Sequence, residues 1–391
     1  MFRLTGCPAM NSVMNNMSAP LNSLSDLRRS LADCAAAPAD APQSLPGRCY
    51  TDATLFEHEC ATVLRNGWHC VGRADELENQ GDYLTVTLLG EPLIIVRDEQ
   101  EIKALSNVCR HRGMPLAEGS GNANRFVCRY HAWAYGTDGA LLRAPRMKNA
   151  GFDAKNCKLG TFPCVQRFGF IYVSLSETAP DIDIEFAGLG DLIGGYKPQD
   201  YNIVHAASEI WECNWKALVE NFMEGYHLSV VHPQTLHGYT PTGLSKKGPS
   251  GAGYTSYFAN YPDNIPARGE GAPELDEKAK HRSTLFAAFP CQVVSVAASL
   301  LVSLSIRPIS AGSIEVRWTM SVFGDALDGD TIDQRIALWE DVNREDREKL
   351  EAMQNALGSV YAAGGPLAGP DYEGTVHDFL LWLARKDVVT E

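Results

Sequence analysis

The chain has 391 residues, a formal net charge of −14, and a composition of 45% hydrophobic and 21% charged residues. That length suits two domains with sizeable cores, and an acid excess spread along the chain speaks against nucleic acid or an anionic membrane as partner. No apolar run reaches the ~18 residues of a membrane span. No secretory segment opens the chain, and eleven cysteines, an odd number, read as reduced thiols of a cytoplasmic protein rather than a disulfide framework.

Residues 1–46 are rich in Ala, Ser, Asn and Pro and read as a flexible N-terminal tail, with one amphipathic helix available over 23–35 and a linker over 36–48. From Tyr50 the texture changes. Asp52 can cap a helix over 52–66, in which Leu55, Cys60, Val63 and Leu64 recur with helical spacing. Strand-like runs follow at 82–89 and 92–97, joined as a hairpin at Gly90-Glu91.

Next comes CRHRGMPLAEGSGNANRFVCRYHAW, which sets Cys109 and His111 at C-x-H spacing and Cys128 and His131 at C-x-x-H spacing. Two thiolates on one iron and two imidazoles on the other can hold a two-iron, two-sulfur cluster. Neutral imidazoles in place of two thiolates make the cluster less negative and a readier electron acceptor. A structural zinc site is the competing reading, but zinc fingers pair Cys with Cys and His with His. Gly113, Pro115 and Trp133 suit two tight hairpin tips under an apolar cover. The segment resembles the Rieske cluster motif. With strand signal at 168–175, residues 47–180 read as one small β-rich domain.

The remaining residues, 181–391, hold a helix around 214–230, a Gly-rich and aromatic loop region at 238–272, strand runs near 291–297, 299–307 and 313–323, and helical stretches at 328–357 and 373–386. Strands followed by helices, without βαβ alternation, read as α+β. In NWKALVENFMEGYHLSVVHP, Glu224, His227 and His232 are spaced E-x2-H-x4-H. Glu224 and His227 would share one helix face. His232 would fall off that face in a straight helix at ~100° per residue. Pro233 forces the helix to end or distort just before it, which can swing His232 back to share a metal with His227. Two imidazoles and a carboxylate make a facial triad with open positions for O2 chemistry on ferrous iron. The spacing alone leaves the third ligand open, and His237 stands as a substitute histidine.

Past residue 46 the chain resembles the oxygenase (alpha) component of Rieske non-haem iron oxygenases. Asn214-Trp215-Lys216 and Glu220-Asn221-Phe222 carry the likeness before the histidines; Glu345-Asp346, Glu351 and Gln354 carry it in a late helix, and Glu373, His377, Phe379 and Trp382 at the end. The resemblance implies a β-rich Rieske [2Fe-2S] domain beside a helix-grip catalytic domain with a large antiparallel sheet. It implies mononuclear iron held by His227, His232 and Asp346, with Asp341 as runner-up and Glu340 and Glu345 as weaker choices, and it sets Asn221 near the iron. His377 reads as structural. It gives Glu224 the place where an aspartate usually links an iron histidine to a cluster histidine of a neighbouring subunit, so that an electron passes from His131 of one chain towards His227 of the next. Glutamate there resembles the carnitine oxygenase subgroup. The quaternary-ammonium members tend to show Glu-Cys-Tyr-His-Cys, whereas this chain has Gly225 and Leu228 in place of the cysteines.

The resemblance further implies a homotrimer, and electrons from NAD(P)H through a separate flavin/iron–sulfur reductase, directly or via a ferredoxin; the chain itself has no strand followed by G-x-G-x-x-G. The expected reaction is hydroxylation or oxidative N-dealkylation of a small amine or betaine-like compound, a monooxygenase outcome. The alternative is hydroxylation, dihydroxylation or O-demethylation of an aromatic acid. An aromatic cage for an onium group has Tyr239, Tyr254, Tyr257, Phe258, Tyr261 and Trp318 as candidates; a carboxylate has Arg307 or Arg317. A ferredoxin-type electron carrier needs only the first domain, and a ligand-binding protein would have lost the second metal; these are the readings from other classes.

Overall fold

The computed structural model describes residues 23–148, 151–324 and 327–387. The first helix, α1 (Leu24–Ala35), is capped by the Ser23 hydroxyl, which accepts from the Asp26 N–H at 3.2 Å. Helix α2 (Ala53–Glu59) is capped by the Asp52 carboxylate, which accepts from the N–H groups of Thr54 and Leu55. A single π-helical turn, Cys60–Leu64, prolongs it.

Eleven strands follow in the cluster-bearing part of the chain. Strands β1 (His69–Arg73), β2 (Asp82–Leu88), β3 (Glu91–Asp98), β4 (Glu101–Ser106) and β5 (Ser120–Asn122) precede the second Cys-His pair; β6 (Arg125–Val127) leads into it and β7 (Ala134–Gly136) and β8 (Leu141–Arg143) lead away. Strands β9 (Thr161–Phe162), β10 (Cys164–Arg167) and β11 (Phe170–Val173) complete this part. They form antiparallel sheets ordered β5-β2-β3-β4-β9, β1-β11-β10 and β6-β7-β8. The hairpin expected at Gly90-Glu91 closes one residue earlier: Leu88 pairs with Glu91 across Leu89-Gly90, both at positive φ (48° and 81°), the backbone a two-residue turn between right-twisted strands requires. In β3 the side chains alternate between two cores. Leu93 and Ile95 join Val71, Val86 and Ile171, while Ile94 and Val96 pack with Cys109, Cys128, Trp133 and Tyr135. Burial on both faces accounts for the unbroken apolar run there.

The catalytic part opens with β12 (Tyr201–Trp211), then α3 (Trp215–Phe222) and α4 (Leu228–Val231). Strands β13 (Ser245–Lys247), β14 (Tyr254–Asn260), β15 (Arg282–Ala288), β16 (Gln292–Ala297), β17 (Leu300–Ser310) and β18 (Ser313–Phe323) follow, then α5 (Gly329–Leu357) and α6 (Pro370–Lys386). The seven strands form one antiparallel sheet ordered β12-β18-β17-β16-β15-β14-β13, so a strand occupies residues 254–260, where a loop region is expected from composition. Its two faces separate cleanly. Val293, Leu300, Val302 and Leu304 pack under the helices with Trp215, Trp339 and Phe379, whereas Val294, Val296 and Leu301 face Trp68, Tyr172 and Tyr196.

The N-terminal helices belong to this second core. Leu27 and Leu31 of α1, together with Cys49, Tyr50, Leu55 and Val63, are buried with Trp215, Phe379 and Leu383. Arg28 donates to the Asp387 carboxylate at 2.7 Å. Lys216 of α3 lies 2.7 and 2.8 Å from the two carboxylate oxygens of Glu59, with both residues almost fully buried. Two expectations are corrected by this. The flexible tail does not extend to residue 46: residues 1–22 lie outside the described residues, but the apolar stripe of α1 finds a partner in α6. The β-rich domain does not begin at residue 47, because residues 48–64 bury their apolar side chains against the catalytic core. Among the described residues no helix is long and apolar enough to cross a membrane.

Candidate metal centres

The Cys109–His111 and Cys128–His131 pairs occupy two loop tips of matching build. In the first, the Cys109 N–H donates to the Met114 carbonyl and the Gly113 N–H donates back to the Cys109 carbonyl, both at 2.9 Å. In the second, Cys128 donates to Trp133 at 2.8 Å and Ala132 donates back to Cys128 at 3.1 Å. Gly113 (φ 78°) and Ala132 (φ 55°) take the left-handed backbone that each turn requires. The two cysteines are buried and His131 is exposed. The Nδ1 atoms of His111 and His131 face each other at 3.1 Å, and the His111 ring stacks on Trp133 with centroids 5.0 Å apart. The Tyr135 hydroxyl lies 3.4 Å from the Cys109 sulfur and accepts from the Arg110 N–H at 3.0 Å. Two imidazole nitrogens converging on one point, over two buried thiols without a disulfide, fit a shared cluster with histidines outward and cysteines inward.

The second centre is assembled from three elements. The helix expected over 214–230 is two helices. Helix α3 ends at Phe222, and Glu224 lies in the turn before α4, so Glu224 and His227 do not share a helix face. The Glu224 carboxylate causes the new start: it accepts from the backbone N–H of Tyr226 and, at 3.1 Å, of His227, and contacts His227 Nδ1. Gly225 is required there, because a Cβ would stand 2.2 Å from the Ser245 hydroxyl oxygen. Helix α4 ends at Val231, and His232, before Pro233, adopts φ −113° and ψ 49°.

The third element is α5, whose buried stripe is Trp339, Val342, Asn343, Asp346 and Leu350. Asp346 is the one acid on that stripe. Asp341 is exposed and pairs with Arg344, and Glu340 is exposed. Asp346 Oδ1 lies 3.1 Å from His232 Nε2 and 3.7 Å from His227 Nε2. One ligand atom from each of His227, His232 and Asp346 can be chosen so that all lie within 4.8 Å of one another. The other imidazole nitrogens are already taken: His227 Nδ1 by Glu224, and His232 Nδ1 by Glu345 at 2.8 Å, where Thr235 also donates at 2.7 Å. Carboxylates on both Nδ1 atoms fix the rings and leave Nε2 inward as electron-pair donors.

His232 Nε2 and Asp346 Oδ1 are buried without a hydrogen-bond partner of good geometry, and so is the amide nitrogen of Asn221 beside Asp346. Burial pushes the Asp346 carboxyl up, but His232 and His227 pull it below its ordinary value. Orphaned donors and a converging carboxylate fit a divalent cation. His237 does not join them; its Nδ1 meets Ser229 Oγ at 2.9 Å. His377 is buried in α6. Glu351 and Gln354 brace the start of α3, accepting at 3.0 Å from the N–H groups of Glu212 and Asn214. The braces at Glu345, Glu351 and Gln354 join residues more than 100 positions apart; the family likeness marks all three in the sequence, but not the groups they brace.

Next to the triad, where Leu228 follows His227, a small cavity of about 40 Å³ lies on the helix side of the sheet, lined by Leu228, Leu236 and Trp339 above and by Tyr257, Leu285 and Ala297 below, among others. Arg307 pairs with Glu315 and Arg317 with Glu76, and neither lines this pocket.

A cluster-binding β domain and a 2-His-1-carboxylate triad under a helix-covered sheet define the class, a Rieske-type oxygenase alpha subunit. Residues 67–167 match the family described as Rieske [2Fe-2S] domain, and residues 198–386 match the ring hydroxylating alpha subunit (catalytic domain); the chain belongs to the family that joins the two. It is 35% identical over 195 residues to the carnitine monooxygenase oxygenase subunit of Escherichia coli (strain K12), covering 49% of this chain and 52% of that one. It is 27% identical over 354 residues to the chloroplastic choline monooxygenase of Spinacia oleracea, covering 87% and 77%. The match thus spans about half the length of the carnitine relative. The fold is that of the quaternary ammonium Rieske monooxygenase CntA in complex with L-carnitine, with a TM-score of 0.78 over 92% of this chain and 99% of that one at 24% identity.

Proposed function

We propose that this chain is the terminal oxygenase component of a Rieske-type system that hydroxylates or oxidatively N-dealkylates a small amine or betaine-like compound. The observation that carries the reading is the convergence of two Nε2 atoms and one carboxylate oxygen beside an apolar pocket, in a chain that also holds the Cys2His2 loop pair. The relatives named for carnitine and choline support the amine class, as does glutamate at position 224.

In this reading Cys109, Cys128, His111 and His131 hold the cluster, and His227, His232 and Asp346 hold the iron. When bound, the cluster supplies single electrons and the ferrous ion supplies O2 activation. The chain's own groups prepare the rest. Glu224 and Glu345 hold each imidazole in the tautomer that turns Nε2 inward. Leu228, Leu236, Tyr257 and Trp339 exclude water from the substrate's oxidisable carbon. Glu224, half-buried with its side chain 13% exposed, is the bridge towards the exposed His131 of a neighbouring copy. That route calls for a homotrimer. Electrons come from NAD(P)H through a separate flavin/iron–sulfur reductase, and the ten free cysteines among the described residues suit the cytoplasm.

The test is turnover with a surrogate reductase on γ-butyrobetaine, choline and a set of aromatic acids, scoring formaldehyde and hydroxylated product alongside iron content. The reading expects three irons per chain and oxidation of an onium compound. Two irons per chain, or ring hydroxylation without any oxidised onium compound, would sink it.

A further inference from the structure

The same pocket has a charged end that the proposed reaction does not use. Its lining includes Arg268. The guanidinium carbon lies over the Tyr239 ring, 3.9 Å from its centroid, and 5.7 Å from the centroid of Tyr261. The two rings hold its plane and leave its edge free. On that edge, Nε and Nη2 are buried and have no hydrogen-bond partner among the described residues. These are the two nitrogens whose N–H bonds run parallel along one side of an arginine, the fork that takes both oxygens of a carboxylate. The residue as a whole is half-buried, but buried N–H groups left without an acceptor are disfavoured. A neighbouring charge has the wrong sign: Arg335 of α5, half-buried, is pushed below its usual value by burial and then by Arg268.

The aromatic residues also argue against an onium cage at this end. Arg268 covers Tyr239 and Tyr261, and Arg282 sits 3.8 Å over Phe258. Trp318 lies tilted against His205 with centroids 4.4 Å apart, and Tyr254 belongs to the core on the opposite face of the sheet. Of the six candidate cage residues only Tyr257 is left as an uncovered aromatic wall of the pocket. Leu228, which follows His227 directly, and Leu236, whose N–H donates to the His232 carbonyl at 3.2 Å, tie the pocket to the triad. The pocket wall therefore holds both residues that adjoin the triad and the guanidinium of Arg268.

We propose that Arg268 is the carboxylate receptor of this pocket, and that the substrate is an organic acid or zwitterion whose oxidisable carbon lies several bonds from its carboxylate. For the amine reading on which this rests, the ammonium end points at the triad and the acid end at Arg268. A neutral-ended onium alcohol lacks the group that the fork takes.

Binding, rather than turnover, is the test, so that a failure of the oxygenase reading stays separate. Calorimetric titration of the holoprotein with γ-butyrobetaine and its methyl ester, and with 4-methylbenzoate and its methyl ester, measures the preference for a free carboxylate. The wild type should favour at least one acid over its ester by about thirty-fold or more. R268M should abolish that preference by weakening the acid alone, and R268K, which keeps the charge but not the fork, should fall between. Retention of the cluster's visible absorption certifies each variant as folded. A preference confined to the aromatic acid would keep Arg268 as receptor and overturn the amine reading. Equal affinity for both acids and their esters in the wild type, or an acid affinity unmoved in R268M and R268K, would overturn the proposal.

Discussion

Replacing Lys216 by methionine tests how the catalytic core is tied to the N-terminal helices. Lys216 is 1% exposed and Glu59 3%. The ammonium lies 2.7 and 2.8 Å from the two carboxylate oxygens, and Trp215 Nε1 donates to the same carboxylate at 2.9 Å. K216M removes two of these three hydrogen bonds and leaves a charge buried between α2 and α3 with one neutral hydrogen bond. Breaking a buried pair from one side costs about 3–5 kcal/mol, against a stability of ~5–15 kcal/mol for a typical protein. The K216M/E59Q double variant removes the stranded charge and should recover ~2 kcal/mol of that loss, since neutral groups of the same shape carry little penalty. Urea denaturation followed by tryptophan fluorescence reads the catalytic transition. A loss under ~1 kcal/mol in K216M, or a double variant no better than the single, would refute a dry, tightly coupled pair.

The remaining predictions concern Glu220 and Glu345. Burial raises the Glu220 carboxyl to about 7, against the opposing pull of Tyr50 and Lys216. The folded chain therefore holds this proton longer than the unfolded chain does. The stability it contributes is full below the unfolded value of ~4.5 and is lost as pH rises to about 7, a change of ~3 kcal/mol. E220Q should flatten the stability profile over that window; a profile identical to wild type would count against the reading. E345A frees His232 Nδ1 and Thr235 Oγ1 at once, and should weaken mononuclear iron binding by ~10–100-fold while cluster content holds. Chelator competition would measure it, and unchanged iron affinity would mean that His232 needs no brace.

The parts legible in the sequence are those whose signal is local. Cys109 to His131 lie within one short segment, and the β2–β3 hairpin announces itself by alternation and a glycine. Asp346 can be singled out once α5 is drawn as a helix, because it falls on the stripe of Trp339, Val342 and Leu350 while Asp341 does not. What stayed hidden depends on distant contacts. The break after Phe222 is set by the Glu224 carboxylate folding back on its own turn and by Ser245 and Tyr372 crowding Gly225, and nothing between Met223 and Tyr226 but one glycine hints at it. The stripe of Leu24, Leu27 and Leu31 was visible, but its partner in α6 lies some 350 residues on. Arg268 looked like any loop arginine until Tyr239 and Tyr261 were brought to its face.

The burial of α1 and α2 against α6 has a consequence for the architecture as a whole. The Rieske-type module is an insertion: the polypeptide starts one globule, leaves it near Trp68 to build a second, and returns by Tyr201 to finish the first. Being tethered at both ends, the module cannot swing away on a single hinge. A chimaera that grafts in a foreign module needs two junctions, and a fragment cut at residue 180 would lack one wall of its own interior.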